Sequence, residues 1–285
     1  MNPVLCERTL GARYGVRDPS VFKHEQPNGG YTVFFTKLES AEPRPSTEEW
    51  HDASNWSIWA VHTLDFVRFD NIRRITPAGF ASPSEVVQWN GEWVLACQSY
   101  PGEAELYYMT CGDSSLTSCS TWSAPQPFLA AANQVSWSTY VPGVGAVGEE
   151  AVKGRAIDPT LVVTRGDSGE QRLHCFFAGT KSGTTSKHCN LLGHAMTSPS
   201  SEDKNQGLGS AVWSLVSESE PLMGSDVDPE GVENVSIVET SEGEWTMMLS
   251  VGLQNQYLAV AHSKDMETWS APVRCTFREG GVQEE

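Results

Sequence analysis

The segment Gly15-Val16-Arg17-Asp18-Pro19-Ser20-Val21-Phe22 sets an acidic residue on a proline-fixed bend immediately before an apolar strand. The same design returns at Ala156-Ile157-Asp158-Pro159-Thr160-Leu161-Val162-Val163. It returns again, with Glu in place of Asp, at Val232-Glu233-Asn234-Val235-Ser236-Ile237-Val238. A related opening, Ala81-Ser82-Pro83-Ser84-Glu85-Val86, stands between the first two. A pattern that restarts in this way constrains the fold more than composition does, because the chain must be built from similar pieces in series.

Each restart leads into short β-branched and aromatic runs separated by Gly, Pro, Asn and Ser, and helical periodicity is scarce. Tyr31–Thr36, Trp56–His62 and Asp65–Phe69 continue the first unit. Glu92–Cys97 and Glu105–Met109 continue the second, with Asn90-Gly91 as a hairpin turn whose two residues both tolerate positive φ. Arg172–Ala178, Leu191–Met196 and a closing Trp213 belong to the third; Val235–Val238, Trp245–Val251 and Tyr257–Ala261 to the fourth. Thr121-Trp122-Ser123-Ala124-Pro125 and Thr268-Trp269-Ser270-Ala271-Pro272 are matching closures. Units of four strands in series are the blades of a β-propeller. No linker divides the chain, so one domain over residues 1–285 is expected.

A net charge of −17 disfavours nucleic acid and anionic membranes as partners and suits a neutral ligand. No apolar run approaches the roughly 20 residues of a membrane span. Met1–Leu10 lacks the basic and apolar regions of a secretory signal, so a cytoplasmic location is expected if Met1 is the true start. Seven cysteines leave at least one unpaired. Cys97 and Cys175 read as buried fillers, Cys111 and Cys119 as a pair under oxidising conditions, and Cys6 and Cys275 as neighbours where the two ends of the repeat meet. No C-x-x-C or H-E-x-x-H pattern is present, and no cofactor or metal is implied.

A lone Asp-Pro is ordinary turn chemistry. Acids at equivalent starts of several first strands are different, because in a propeller those positions face one pocket. Clustered carboxylates fit glycoside hydrolysis, in which one carboxylic acid protonates the leaving oxygen and a carboxylate activates water or attacks carbon. A site for a hard cation is the competing use, and it is the lesser reading because the three acids stand on separate units of the repeat.

The openings Arg17-Asp18-Pro19-Ser20, Ser82-Pro83-Ser84-Glu85, Ile157-Asp158-Pro159-Thr160 and Glu233-Asn234-Val235-Ser236 resemble those of glycoside hydrolase family 43 and its relatives. These are the five-bladed propellers of the arabinanase, levansucrase and invertase group. Ser263-x-Asp265-Met266-x-x-Trp269 is similar to that group's outer-strand pattern, and the likeness runs from about Gly15 to Pro272. The resemblance implies an all-β five-bladed propeller, with four blades evident and the fifth short or incomplete. It implies a carbohydrate substrate, with Asp18 as general base, Asp158 as the acid that orients substrate and tunes its neighbour, and Glu233 as general acid. Glu230, in Glu230-Gly231-Val232, is a rival for the last role; Glu233 is preferred on the expectation that the strand begins after it. The family has a small residue and Pro after this Glu, where Asn234-Val235 stand here.

Arg17, Glu85 and Arg155 are candidate substrate-binding residues, while Trp56, Trp89, Tyr100 and Trp137 are aromatic candidates for sugar stacking. An inverting reaction on a plant- or algal-type oligosaccharide is expected, with base and acid roughly 6.5–9.5 Å apart. A non-catalytic carbohydrate-binding propeller is the alternative. A glycoside phosphorylase would need basic residues to hold phosphate, and 19 Lys plus Arg among 285 residues make it the lesser choice.

Overall fold

The computed structural model describes residues 14–25, 29–39, 52, 55–99, 105–128, 137–138, 156–166, 169–181, 190–198, 207–224, 226–252, 256–278 and 281–284. Among them there is no α-helix, and the chain is an all-β propeller with four blades. It divides into two compact units, Met1–Phe128 with Glu202–Gly207, and Leu129–Ser201 with Leu208–Glu285.

The first unit carries two blades. Blade one runs in the order β1 (Tyr14–Lys23), β2 (Tyr31–Glu39), β3 (Trp56–Thr63) and β4 (Phe69–Arg74), each strand antiparallel to the next. Blade two comprises β5 (Phe80–Ala81), β6 (Val87–Trp89), β7 (Glu92–Ser99), β8 (Leu106–Cys111) and β9 (Gln126–Pro127). Both β5 and β6 pair with β7. Asn90 and Gly91, at φ +49° and +85°, make the expected hairpin between β6 and β7. Phe34, Ile58 and Ala60 of blade one share a buried cluster with Val86, Trp93, Leu95, Cys97 and Met109 of blade two. Cys111 and Cys119 form a disulfide with Cα atoms 6.1 Å apart.

The second unit repeats the plan. Blade three is β10 (Ala156–Arg165), β11 (Gln171–Thr180), β12 (Asn190–Thr197) and β13 (Trp213–Leu215). Blade four is β14 (Val232–Ser241), β15 (Glu244–Val251), β16 (Tyr257–Ser263), β17 (Val273–Arg278) and β18 (Gly281–Glu284). Val162, Phe176 and Leu192 of the third pack with Val235, Ile237, Met247, Leu249 and Val251 of the fourth. The alternation Met247, Leu249, Val251 buried against Met248 exposed is the period-two pattern of a strand with one face in the core. Val273 and Arg274 pair with Val260 and Ala259, so the C-terminal strands extend blade four. A fifth blade is not among the described residues. Cys6 lies outside them, and Cys275 is buried.

The closing motifs match in atomic detail. Ser123 exchanges two hydrogen bonds with the Thr110 backbone, and Ser270 does the same with His262. A second echo was not anticipated. Thr63 Oγ1 accepts from the N–H groups of Asp65 and Phe66, as Ser263 Oγ does from Asp265 and Met266. Phe66 and Met266 both have positive φ, +58° and +67°. Backbone N–H groups, Thr268 foremost, hold Asp265 below the usual carboxylate range; those of Arg68 and Val67 do so for Asp65.

Candidate active site

Every first strand is broken at one point, and there the chain enters the left-handed region. Asp18, Ser82, Asp158 and Asn234 have φ of +52°, +50°, +52° and +52°. In blades one, three and four the pairing slips between Arg17 and Ser20, Ile157 and Thr160, and Glu233 and Ser236, so the two residues between form a bulge. Asp, Asn and, less readily, Ser accept this conformation because a short polar side chain relieves part of its strain. Pro19, Pro83 and Pro159 follow, where the bulge removes the need for a ladder N–H.

This shared break fixes the alignment between blades and corrects the simplest reading of the repeat. Asp18 and Asp158 are equivalent. In blade four their place belongs to Asn234, while Glu233 stands one residue earlier, level with Arg17, Ala81 and Ile157. In blade two it belongs to Ser82, and Glu85 lies three residues beyond, level with Val21, Leu161 and Ile237. The strand also runs through Glu233, which pairs with Ser250, so the expectation that the strand starts after it does not hold. Glu230 instead lies in the turn before β14, its N–H donated to Asp228 Oδ1. Asn234 can take this bend because Asn is among the few non-glycine residues that accept the left-handed region.

In the first unit, Asp18 Oδ2 accepts from Arg17 Nε at 2.7 Å, Thr36 Oγ1 at 2.9 Å and Ser82 Oγ at 3.2 Å. Thr36 Oγ1 accepts in turn from the Ser82 N–H at 2.8 Å, closing a small network between the two blades. The Arg17 guanidinium lies 5.2 Å from the ring centre of the fully buried Trp56, which steadies it by cation–π attraction. All hydrogen bonds to this carboxylate from the described residues reach Oδ2. Oδ1 takes none from the described residues, and the side chain keeps 23% of its surface exposed.

In the second unit, Glu233 Oε2 accepts from Asn190 Nδ2 at 2.8 Å, and Oε1 has no protein partner among the described residues. Thr160 Oγ1 donates to the Val235 carbonyl, tying β10 to β14 just beyond their two bends. Asp158 is half-buried at the bend of β10. Arg155 and Tyr100 lie outside the described residues. Trp56, Trp89 and Trp137 are core residues at 0%, 3% and 8% exposure, with Trp137 Nε1 bonded to the Ser217 carbonyl. Thr36, Ser82 and Asn190, which hold the two carboxyl groups, were not identified from sequence. Ser82-Pro83 carried a signal in its match to Asp-Pro, whereas Thr36 and Asn190 are brought in by strand pairing alone.

No protein-family model and no curated protein matches the chain. Solved structures do. Zg3597, a family 117 glycoside hydrolase produced by the marine bacterium Zobellia galactanivorans, matches with a TM-score of 0.53 at 15% identity, over 90% of this chain and 69% of that one. The α-L-arabinofuranosidase PaAbf62A from Podospora anserina gives 0.53 at 14% identity, over 90% and 67%. The GH43_1 enzyme from Xanthomonas citri gives 0.51 at 13%, over 90% and 74%. The fold is thus the propeller of these glycoside hydrolases, and at such identities the likeness speaks to the fold alone.

Proposed function

We propose that the chain is a glycoside hydrolase that cleaves O-glycosidic bonds of a plant- or algal-type oligosaccharide with inversion, residues 1–285 acting as one catalytic domain. The observation that carries this reading is the matched state of two carboxyl groups. Asp18 and Glu233 each have one oxygen held by a protein donor and the other without a protein partner among the described residues. On a fold shared with glycoside hydrolases, that is the equipment of a base and an acid.

Asp18 Oδ1 takes a proton from water as the water oxygen bonds to the anomeric carbon. The bond from that carbon to the leaving oxygen breaks, and Glu233 Oε1 gives the leaving oxygen a proton. Arg17, Thr36 and Ser82 hold Asp18 by its other oxygen, which fixes the orientation of the carboxylate. Asp158 orients the substrate, and Arg17, Glu85 and Arg155 bind its hydroxyls. A screen of chromogenic pentosides and hexosides tests the proposal. Turnover of at least one, reduced about 10²–10⁴-fold by Asp18→Ala, is expected; turnover that survives Asp18→Ala removes Asp18 from the mechanism.

One feature favours the alternative of a carbohydrate-binding propeller. A cavity of about 600 Å³ on blade four is lined by Trp245, Trp269, His262, Lys264 and Glu244. Its size suits a sugar, and two indoles offer stacking surfaces. Binding of an oligosaccharide that is lost on Trp245→Ala, with no turnover of any glycoside, would establish that reading instead.

A further inference from the structure

We propose that Asn190 is the positioning residue for Glu233, fixing which carboxyl oxygen delivers the proton. The inference rests on Glu233 being the acid.

The Asn190 side-chain nitrogen carries two hydrogens and no usable lone pair, so toward Glu233 Oε2 it can only donate. In the protonated acid, Oε2 is therefore the carbonyl oxygen and the proton sits on Oε1, the oxygen without a protein partner among the described residues. When Oε1–H passes its proton to the leaving oxygen, Glu233 becomes a carboxylate and the bond at Oε2 becomes charge-assisted. A hydrogen bond that strengthens as the proton departs stabilises the transition state more than the ground state.

The amide is itself held in place. Asn190 is 1% exposed, pairs with Thr180 at the start of β12, and is bridged to Gly231. Gly231 has φ +83°, and a Cβ there would come within 1.9 Å of the Asn190 carbonyl oxygen. Only glycine permits this approach, and it sets the Asn190 backbone against Gly231, two residues before Glu233 in the chain. The donor thus stands on a framework with little freedom to move.

The test uses two aryl glycosides of the sugar that the protein turns over, one with a poor leaving group and one with an activated leaving group. Asn190→Leu keeps the branched outline of the amide and removes the donor without adding a charge; Asn190→Ala removes the side chain. Both are expected to lower kcat roughly 10- to 100-fold on the poor leaving group, the value of a hydrogen bond to a charged group. KM should stay within about twofold, and the activated substrate should be spared. Equal loss on both substrates, or no loss on either, overturns the proposal. Asn190→Leu decides the matter if Asn190→Ala does not fold. If Glu233→Gln shows leaving-group dependence and Asn190→Leu does not, the positioning role alone fails. If Glu233→Gln shows none, or if no glycoside is turned over, the reading of Glu233 as acid fails and this inference goes with it.

Discussion

Asp158 and Asn234 hold the same backbone angle, φ +52°, at the break of the first strands of two successive blades. The fold therefore asks for a left-handed residue at this point in each blade and leaves its chemistry open. Blades one and three place a carboxylate there, and blade four places an amide with its carboxyl group one residue earlier.

Asn234 should consequently respond to backbone rather than to chemistry. Asn234→Gly is expected to leave stability within about 1 kcal/mol, whereas Asn234→Val should cost about 1–2 kcal/mol from forcing a β-branched residue into this conformation. Urea unfolding of the two variants measures the difference, and equal stability would show that the bend is not a fixed requirement.

Stability should fall on mild acidification because of a buried histidine pair. His174 Nδ1 and His194 Nε2 lie 3.0 Å apart, His174 Nε2 bonds Thr164 Oγ1, and His194 Nδ1 has no partner among the described residues. Burial first, and then repulsion from Arg172 and from His174 respectively, lowers the two pKa values to about 4 and about 3. Above pH 6.5 both rings are neutral in folded and unfolded chains and contribute nothing. Below it the unfolded chain binds protons that the folded one cannot, so stability drops by a few kcal/mol, roughly, between pH 6.5 and 4. Melts across this range should show the slope, and His194→Leu should make it shallower whatever its effect at pH 7. An unchanged slope would contradict the assignment.

The disulfide offers a separate check. Cys111 and Cys119 close a loop of sequence separation 8, for which the chain-entropy model gives about 2–3 kcal/mol. Cys111→Ser should destabilise the oxidised protein by that order and leave the reduced protein little changed. Thiol titration of the denatured, unreduced chain should find at least two fewer thiols than the seven cysteines would provide, and Cys111→Ser should raise the count by one.

Much of the fold was legible because its signals are local. The turn at Asn90-Gly91, the Ser-Ala-Pro closures and the four openings each depend on residues adjacent in the chain. The offset in blade four was not legible, because Asp, Asn and Ser all tolerate the left-handed bend and the sequence Glu233-Asn234 permits either register. The left-handed φ of Asn234 and the slip in pairing between Glu233 and Ser236 decide it. Thr36, Ser82 and Asn190 escaped for a related reason: their contacts to Asp18 and Glu233 span 18, 64 and 43 residues. The paired turns at Asp65 and Asp265 could have been found, since Thr63-x-Asp65-Phe66 and Ser263-x-Asp265-Met266 share their spacing.

The stereochemistry of hydrolysis is a further expectation. With Asp18 as base, water attacks directly and the first product has inverted anomeric configuration, visible by proton NMR before mutarotation. A retained configuration would mean a covalent intermediate and a nucleophile in place of the base.

The most direct measurement is the leaving-group dependence of kcat/KM for Glu233→Gln beside Glu230→Gln and Asp18→Asn. Glu233→Gln should abolish turnover of glycosides with poor leaving groups and spare activated aryl glycosides, which need little protonation. Asp18→Asn should abolish both, because neither substrate escapes the need for an activated water, and Glu230→Gln should behave as the unmodified protein. Leaving-group dependence in Glu230→Gln and none in Glu233→Gln would contradict the account.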